Sequence, residues 1–331
     1  MVNRDINFSL WLDFVERDYL KNEFSALIEK GIINGATSNP SIFASAITTS
    51  PAYKEQLALL EGKSPKEKYE ALAIEDIRTA AQALRESYDE GNDGYISIEV
   101  DPFLSNDTQG TIEEGKRLFA TIDEPNVMIK VPATNAGYAA MTELLATGIS
   151  VNATLIFSPE QARRCLKAMK EGIDTFSNNG GCRVEAVISV FVSRFDRLLD
   201  ADLEREGLDV AKTGIYNAAK IYNIIEKNHT PSVRTLFAST GVKGDDLPAD
   251  HYIRELLVAH SVNTAPLATI EAYIAKKETT PKLPIEDDII NGYFTKLADN
   301  GFNMDEVYTS LLKDGLGAFE KAFEEMLDSL K

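Results

Sequence analysis

Lys130 stands in the stretch Asn126-Val127-Met128-Ile129-Lys130-Val131-Pro132-Ala133-Thr134, where an ammonium interrupts an otherwise apolar run. Val127, Ile129 and Val131 alternate with Met128 and Lys130, so a strand here turns its aliphatic set one way and the lysine the other. Desolvation favours the neutral amine, which is the nucleophile that forms an imine with a carbonyl. A lysine that snorkels to solvent or pairs with a carboxylate fits the spacing equally well. Polar residues recur near the C-terminal ends of other apolar segments: Asp13, Asn39, Glu99, Asn152 with Thr154, Ser189 and Ser239. For most of them the neighbouring aliphatics take the opposite parity, and that recurrence is more informative than any single residue.

Each residue also has an ordinary structural reading. Asp13 is equally a helix N-cap, and Asn39 before Pro40 reads first as a turn residue. Glu99 is equally an ion partner for Lys130. Arg194, five residues past Ser189, reads as a solvated arginine at a helix start unless an anion lies beside it. His229, His251 and His260 have no H-E-x-x-H spacing, so no zinc site is expected. No G-x-S-x-G elbow occurs, and Cys165 and Cys182 sit in a helix and beside a glycine turn, which makes them poor candidates for a nucleophile.

The elements that must position these residues follow from periodicity. Strands are expected at 8–13, 33–38, 95–100, the lysine stretch, 150–157, 184–190, 234–239 and 258–263. Helices are expected at 14–30, 64–90, 111–121, 137–146, from 158 to near Gly172, and at 193–206, 211–228 and 266–276, with two more at 287–298 and 304–330. Ser64-Pro65-Lys66-Glu67 and Ser158-Pro159-Glu160-Gln161 read as capping boxes, and 277–284 as a linker. Eight strands, each followed by helix, predict an α/β fold: a single (β/α)8 TIM barrel over 1–331 with a helical C-terminal extension from about 285. An open doubly wound sheet is the competitor, but no G-x-G-x-x-G or G-x-x-x-x-G-K-[ST] turn supports it. In a barrel the C-terminal strand ends share one face, which would gather the polar residues in space. The two C-terminal helices either cover that mouth or pair two copies of the chain as a homodimer.

At 331 residues and 44% hydrophobic composition the chain can bury one large core. Lys+Arg 34 against Asp+Glu 52 gives a net charge of −18, which disfavours nucleic acid and anionic membranes as partners. Small anionic substrates then need a local cluster of cations. Two cysteines imply no disulfide framework, and the N-terminus lacks the pattern of a secretory leader, so a cytoplasmic protein is expected.

Two stretches, Ala36-Thr37-Ser38-Asn39-Pro40-Ser41-Ile42-Phe43 and Met128-Ile129-Lys130-Val131-Pro132-Ala133-Thr134, resemble signatures of the transaldolases. Further matches occur in that family's order at Trp11-Leu12-Asp13, Ser97-Ile98-Glu99-Val100-Asp101, Val151-Asn152-Ala153-Thr154 with the residues to Ser158, and Ser189-Val190-Phe191-Val192-Ser193-Arg194. The resemblance implies an enzyme of the pentose phosphate pathway. Such an enzyme moves a dihydroxyacetone unit from sedoheptulose 7-phosphate or fructose 6-phosphate to an aldose phosphate, with no metal or organic cofactor. By similarity Lys130 forms the Schiff base, Asp13 exchanges the C4 hydroxyl proton, and Glu99, through a water positioned with Thr154, moves protons at the carbinolamine. Asn39 and Asn152 would bind the retained three-carbon unit, Thr37 and Phe191 would shape its pocket, and Arg194, Ser239 and Ser189 would meet the phosphate. Many members carry a second phosphate-binding arginine two residues after the serine equivalent to Ser239, where this chain has Gly241, and Lys243 is the expected replacement cation. An aldolase releasing free dihydroxyacetone and a non-catalytic sugar-phosphate-binding barrel are the alternatives.

Overall fold

Strand parity closes the sheet. β1 (Phe8–Asp13), β2 (Gly35–Thr37), β3 (Tyr95–Glu99), β4 (Val127–Pro132), β5 (Val151–Ile156), β6 (Ala186–Phe191), β7 (Val233–Ala238) and β8 (Ser261–Ala265) pair in sequential order as a closed barrel. Every pairing is parallel, including that of β8 with β1. This computed structural model describes residues 2–244, 246–276 and 280–331. Leu10, Leu12, Val127, Ile129, Val131, Ile188 and Val190 join one outer cluster with the surrounding helices. Trp11, Tyr95, Met128, Val187, Leu236 and Val262 fill the barrel interior as a second cluster. These are the two apolar layers that a (β/α)8 barrel requires.

The helices are α1 (Arg17–Glu29), α2 (Pro40–Thr49), α3 (Lys54–Leu59), α4 (Pro65–Ala83), α5 (Arg85–Asp89), α6 (Thr108–Ile122) and α7 (Asn135–Ala146). They continue as α8 (Pro159–Asn178), α9 (Ser193–Arg205), α10 (Thr213–Lys227), α11 (His251–Glu255), α12 (Leu267–Lys276), α13 (Asp287–Asp299) and α14 (Met304–Ser329). Both capping boxes form, at Ser64 and at Ser158. The single helix expected over 64–90 divides at Leu84 into α4 and α5. Gly172 does not stop α8. It is buried against α7, where a Cβ would meet Thr142 O at 2.6 Å, so this glycine serves close helix approach and the helix runs on. Of the expected linker, residues 277–279 lie outside the described residues; beyond them Leu283 is buried and Lys282 N donates to Leu257 O at 2.9 Å.

Two features of the strands bear on the mouth. β8 lies further along the chain than its apolar run suggests: Leu256, Leu257 and Val258 pack in the outer cluster, and the strand begins at Ser261, which brings Thr264 to the C-terminal end. β5 carries an irregularity between Ala153 and Ile156, with Leu155 at φ +59. Leu155 thereby joins the inner cluster instead of alternating outward.

Gly35 is set by space and not by conformation. A Cβ there would sit 2.4 Å from Trp11 Nε1, and the fully buried indole has nowhere to go. Gly35→Ala is therefore expected to cost about 1–3 kcal/mol, read as a lower urea midpoint. An unchanged midpoint would mean that the indole repacks.

α14 touches α2, α4, α9 and β5, and so lies across the C-terminal mouth. Leu311 and Phe319 join the inner cluster, and Phe323 and Met326 the outer one. Of the two roles open to the C-terminal helices, α14 fills the first on its own barrel.

Candidate active site

The register of β3 and β4 sets Glu99 directly beside Lys130, and that of β4 and β5 sets Lys130 beside Asn152. Glu99 ends its strand and Lys130 stands near the end of β4. Asn152 is the second residue of β5 and not, as expected, near its C-terminal end; the stagger of the strands brings it level with the lysine. Lys130 is 5% exposed. Its Nζ donates to Ser38 O at 3.1 Å and stands 3.4 Å from Glu99 Oε2, an ion-pair contact at the edge of hydrogen-bond length. Burial, with a smaller push from Asp13, lifts the Glu99 carboxyl to about 7 against the opposing pull of Lys130. Burial also raises Asp13, with Lys130 and a hydrogen bond from Thr37 acting the other way. Two carboxyls and one amine thus share a desolvated site, and Glu99 is poised to change protonation near neutral pH.

Asp13 does not cap α1, a task that falls to Glu16, whose carboxylate accepts from Tyr19 N at 2.8 Å. It accepts instead from Thr37 Oγ1 at 2.7 Å, and Thr37 in turn meets Thr264 Oγ1 at 2.7 Å. Asn39 is the N-cap of α2, its Oδ1 accepting from Ile42 N at 3.0 Å, and the same residue borders the cavity. Asn152 is fully buried; its amide donates to Ser97 Oγ at 3.0 Å, and Ser189 Oγ donates to its carbonyl at 2.6 Å. Glu99 Oε2 and Thr154 Oγ1 are buried without a hydrogen-bond partner among the described residues.

A cavity of about 190 Å³ opens above the lysine, bordered by Asp13, Thr37, Asn39, Lys130 and Thr154 on one side. Ser189, Phe191, Arg194 and Ser239 border the other. Arg194 is half-buried, with its guanidinium carbon 5.1 Å from the centroid of the Phe191 ring. No carboxylate forms an ion pair with it among the described residues, and burial, then Arg197, hold its pKa below the ordinary arginine value while Asp314 pulls upward. Arg194 opens α9, whose N-cap position, Val192, offers no side-chain cap. Ser239 Oγ lies 3.1 Å from Ser193 Oγ, with Ser239 at φ +55. An unpaired guanidinium, two hydroxyls and an uncapped helix N-terminus make an anion-binding corner.

Lys243 is exposed on the loop after β7, outside the cavity lining. At Gly241 a Cβ would come 3.2 Å from Pro266 Cγ, so a larger residue there would need Pro266 to shift. Ser41, Thr264 and Phe319 border the cavity without having been singled out from the sequence. Thr264 was hidden by the placement of β8, and Phe319 by its helix, in which nothing local distinguishes it from Phe323. A larger groove of about 890 Å³, bordered by Glu160, Lys220 and Asn303, lies apart and holds none of the reactive set.

The profile of the Transaldolase/Fructose-6-phosphate aldolase family matches residues 10–330. The chain belongs to this family. A Campylobacter jejuni protein named Transaldolase (subsp. jejuni serotype O:23/36, strain 81-176) is 48% identical over 331 residues, covering 98% of this chain and 99% of its own. A Helicobacter pylori Transaldolase (strain ATCC 700392 / 26695) is 44% identical over 323 residues, covering 97% and 99%. The expectation of a transaldolase, a transferase, agrees with the family and with the name these relatives carry. Among the described residues no helix is long and apolar enough to cross a membrane.

Proposed function

We propose that this cavity carries out transaldolase chemistry, with Lys130 as the imine-forming residue. The observation that carries the reading is the buried Lys130 amine, 3.4 Å from one carboxylate on the next strand and facing a second from β1. Lys130 Nζ adds to the ketose carbonyl, giving a carbinolamine. Its hydroxyl leaves as water after protonation, and Glu99 supplies and recovers that proton through a water held with Thr154, because Glu99 Oε2 and Thr154 Oγ1 both need a partner. The C3–C4 bond then breaks as Asp13 takes the C4 hydroxyl proton, the aldose phosphate departs, and its electron pair rests on the iminium as an enamine. Addition to the acceptor aldehyde runs the same steps in reverse. Asn39 and Asn152 orient the retained hydroxyls, and Thr37 holds Asp13 in place through its 2.7 Å hydrogen bond.

Arg194 and Ser239, with Ser189 nearby, hold the phosphate; Lys243, exposed outside the cavity lining, is left without a direct part in that contact. Arg194→Ala is expected to lower kcat/KM by about 10–100-fold, mostly through KM for the phosphorylated substrate, since a charge-assisted bond to a dianion is lost. A fall confined to kcat would place the guanidinium elsewhere in the reaction.

Reduction with borohydride in the presence of fructose 6-phosphate tests the reading directly. A three-carbon adduct on Lys130, with transfer dependent on an acceptor aldose, is expected. Product formed equally well without an acceptor would instead favour an aldolase. We also place the enzyme in the cytoplasm, a reading supported by two unpaired cysteines, one of them exposed. The buried apolar residues of α14 pack within its own chain, which favours another face for a homodimer.

A further inference from the structure

Phe319 stands over the reacting nitrogen. Its ring centroid is 5.7 Å from Lys130 Nζ, the residue is 6% exposed, and it borders the same cavity. It is carried by α14, not by a strand end or a strand–helix loop, which sets it apart from the polar residues gathered at the barrel mouth. α14 is fixed close to that mouth. Tyr308 OH donates to Asn217 Oδ1 at 3.0 Å on α10, and Leu311, Phe323 and Met326 are buried. One turn before Phe319, Gly315 packs down on the mouth, where a Cβ would lie 3.0 Å from Leu155 Cδ2 and 3.4 Å from Arg194 Nη1. The absence of a side chain at 315 lets the helix backbone settle over the anion corner, and that seating sets the height of the aromatic ring above Lys130.

Resting on the transaldolase reading above, we propose that Phe319 covers the Lys130 adduct and sets the partition between transfer to an acceptor and release to water. The need is chemical. After the first aldose leaves, the three-carbon unit remains as an enamine on Lys130. Release requires a proton to add at the enamine carbon, regenerating the iminium, and then water to add at the iminium carbon. The C–N bond breaks, free dihydroxyacetone departs, and the Lys130 amine is restored, with one water consumed. Transfer forms a carbon–carbon bond to the acceptor instead. An apolar ring over the nitrogen hinders the approach of water, and its π face favours the cationic iminium over a neutral, hydrated carbinolamine.

The test measures free dihydroxyacetone and transfer product side by side, with fructose 6-phosphate as donor and erythrose 4-phosphate as acceptor. In Phe319→Ala the release-to-transfer ratio is expected to rise about 10-fold, while Phe319→Leu, which keeps apolar cover, stays within about threefold of the parent enzyme. Met326→Ala loosens the same helix where it packs in the outer cluster, away from the cavity, and should leave the ratio unchanged. An unchanged ratio in a folded Phe319→Ala enzyme that still gives the borohydride adduct overturns the proposal, as does an equal rise in Met326→Ala. If Phe319→Ala does not fold, the leucine variant decides through Phe319→Trp: the wider ring should lower the ratio below that of leucine, and equality of the two overturns the proposal. Absence of a Lys130 adduct in the unaltered enzyme would instead overturn the underlying transaldolase reading.

Discussion

Lys130→Met should lower kcat for dihydroxyacetone transfer by at least about 10⁴-fold and abolish the borohydride-trapped adduct, because among the described residues no other lysine borders the cavity. Methionine keeps an unbranched stem of similar volume and lacks the reactive nitrogen. The loss has a second signature, in stability. Lys130 is the main influence holding down Glu99, which burial already lifts to about 7, and it also holds down Asp13. Without the lysine both carboxyls move further up. A carboxyl whose folded pKa exceeds its unfolded value contributes stability that is fully present below the unfolded pKa and is lost as pH rises through the folded one. Below about 7 Glu99 is already largely protonated in the folded enzyme, so its contribution differs little between the two proteins there. Above that pH the parent enzyme holds the Glu99 carboxylate against Lys130, whereas the variant must keep binding a proton or bury an unpaired charge. The melting temperature of Lys130→Met is therefore expected to fall relative to that of the parent enzyme as pH rises from about 6 toward about 8.5. Residual trapping in the variant would move the imine to another lysine, and a pH-independent difference would show that Glu99 does not depend on Lys130 for its charge.

Parity makes the barrel legible in the sequence. Val127, Ile129 and Val131 facing one way with Met128 and Lys130 facing the other is a local property, and the structure turns that alternation into two apolar layers. Convergence of Asp13, Thr37, Asn39, Lys130 and Thr154 on one cavity follows from the same rule, because parallel strands of a closed barrel bring their ends to one face. What could not be read depends on contacts distant in sequence. Gly172 looks like a stop signal until α7 is seen packed against it. Thr264 escapes because the strand expected at 258–263 starts at Val258, which serves the outer core, and stops at Asn263, whereas β8 runs from Ser261 to Ala265. Phe319 escapes because an amphipathic helix does not announce which of its aromatics will lie over another element's lysine. Lys243 illustrates the opposite limit: sequence spacing from Ser239 selects it, while its side chain is exposed outside the cavity.

Asp93→Asn is expected to destabilise the fold by about 3–5 kcal/mol while leaving the activity of folded enzyme intact. Asp93 precedes β3 at the end of the barrel opposite the mouth, and there it neutralises Arg234. Arg234 Nη1 donates to Asp93 Oδ2 at 3.2 Å, Nη2 makes a closer contact with Oδ1, and Trp11 Nε1 donates to Oδ2 at 2.9 Å. The two charged side chains are 7% and 2% exposed. Asparagine suits the backbone, since Asp93 is at φ +63 and asparagine tolerates that region nearly as well. It also keeps the volume and an acceptor for the indole. Only the charge goes, so the guanidinium is left buried with Glu185 Oε2 at 3.9 Å as its nearest remaining acid. Because the penalty arises from the stranded cation and not from the lost pair, the double variant Asp93→Asn with Arg234→Met should recover much of the loss. For a chain of this size the single variant should melt roughly 4–7 °C lower. A double variant no more stable than the single one would mean that the Asp93–Arg234 pair is needed for itself and that the floor of the barrel depends on ionic contact more than on filled volume.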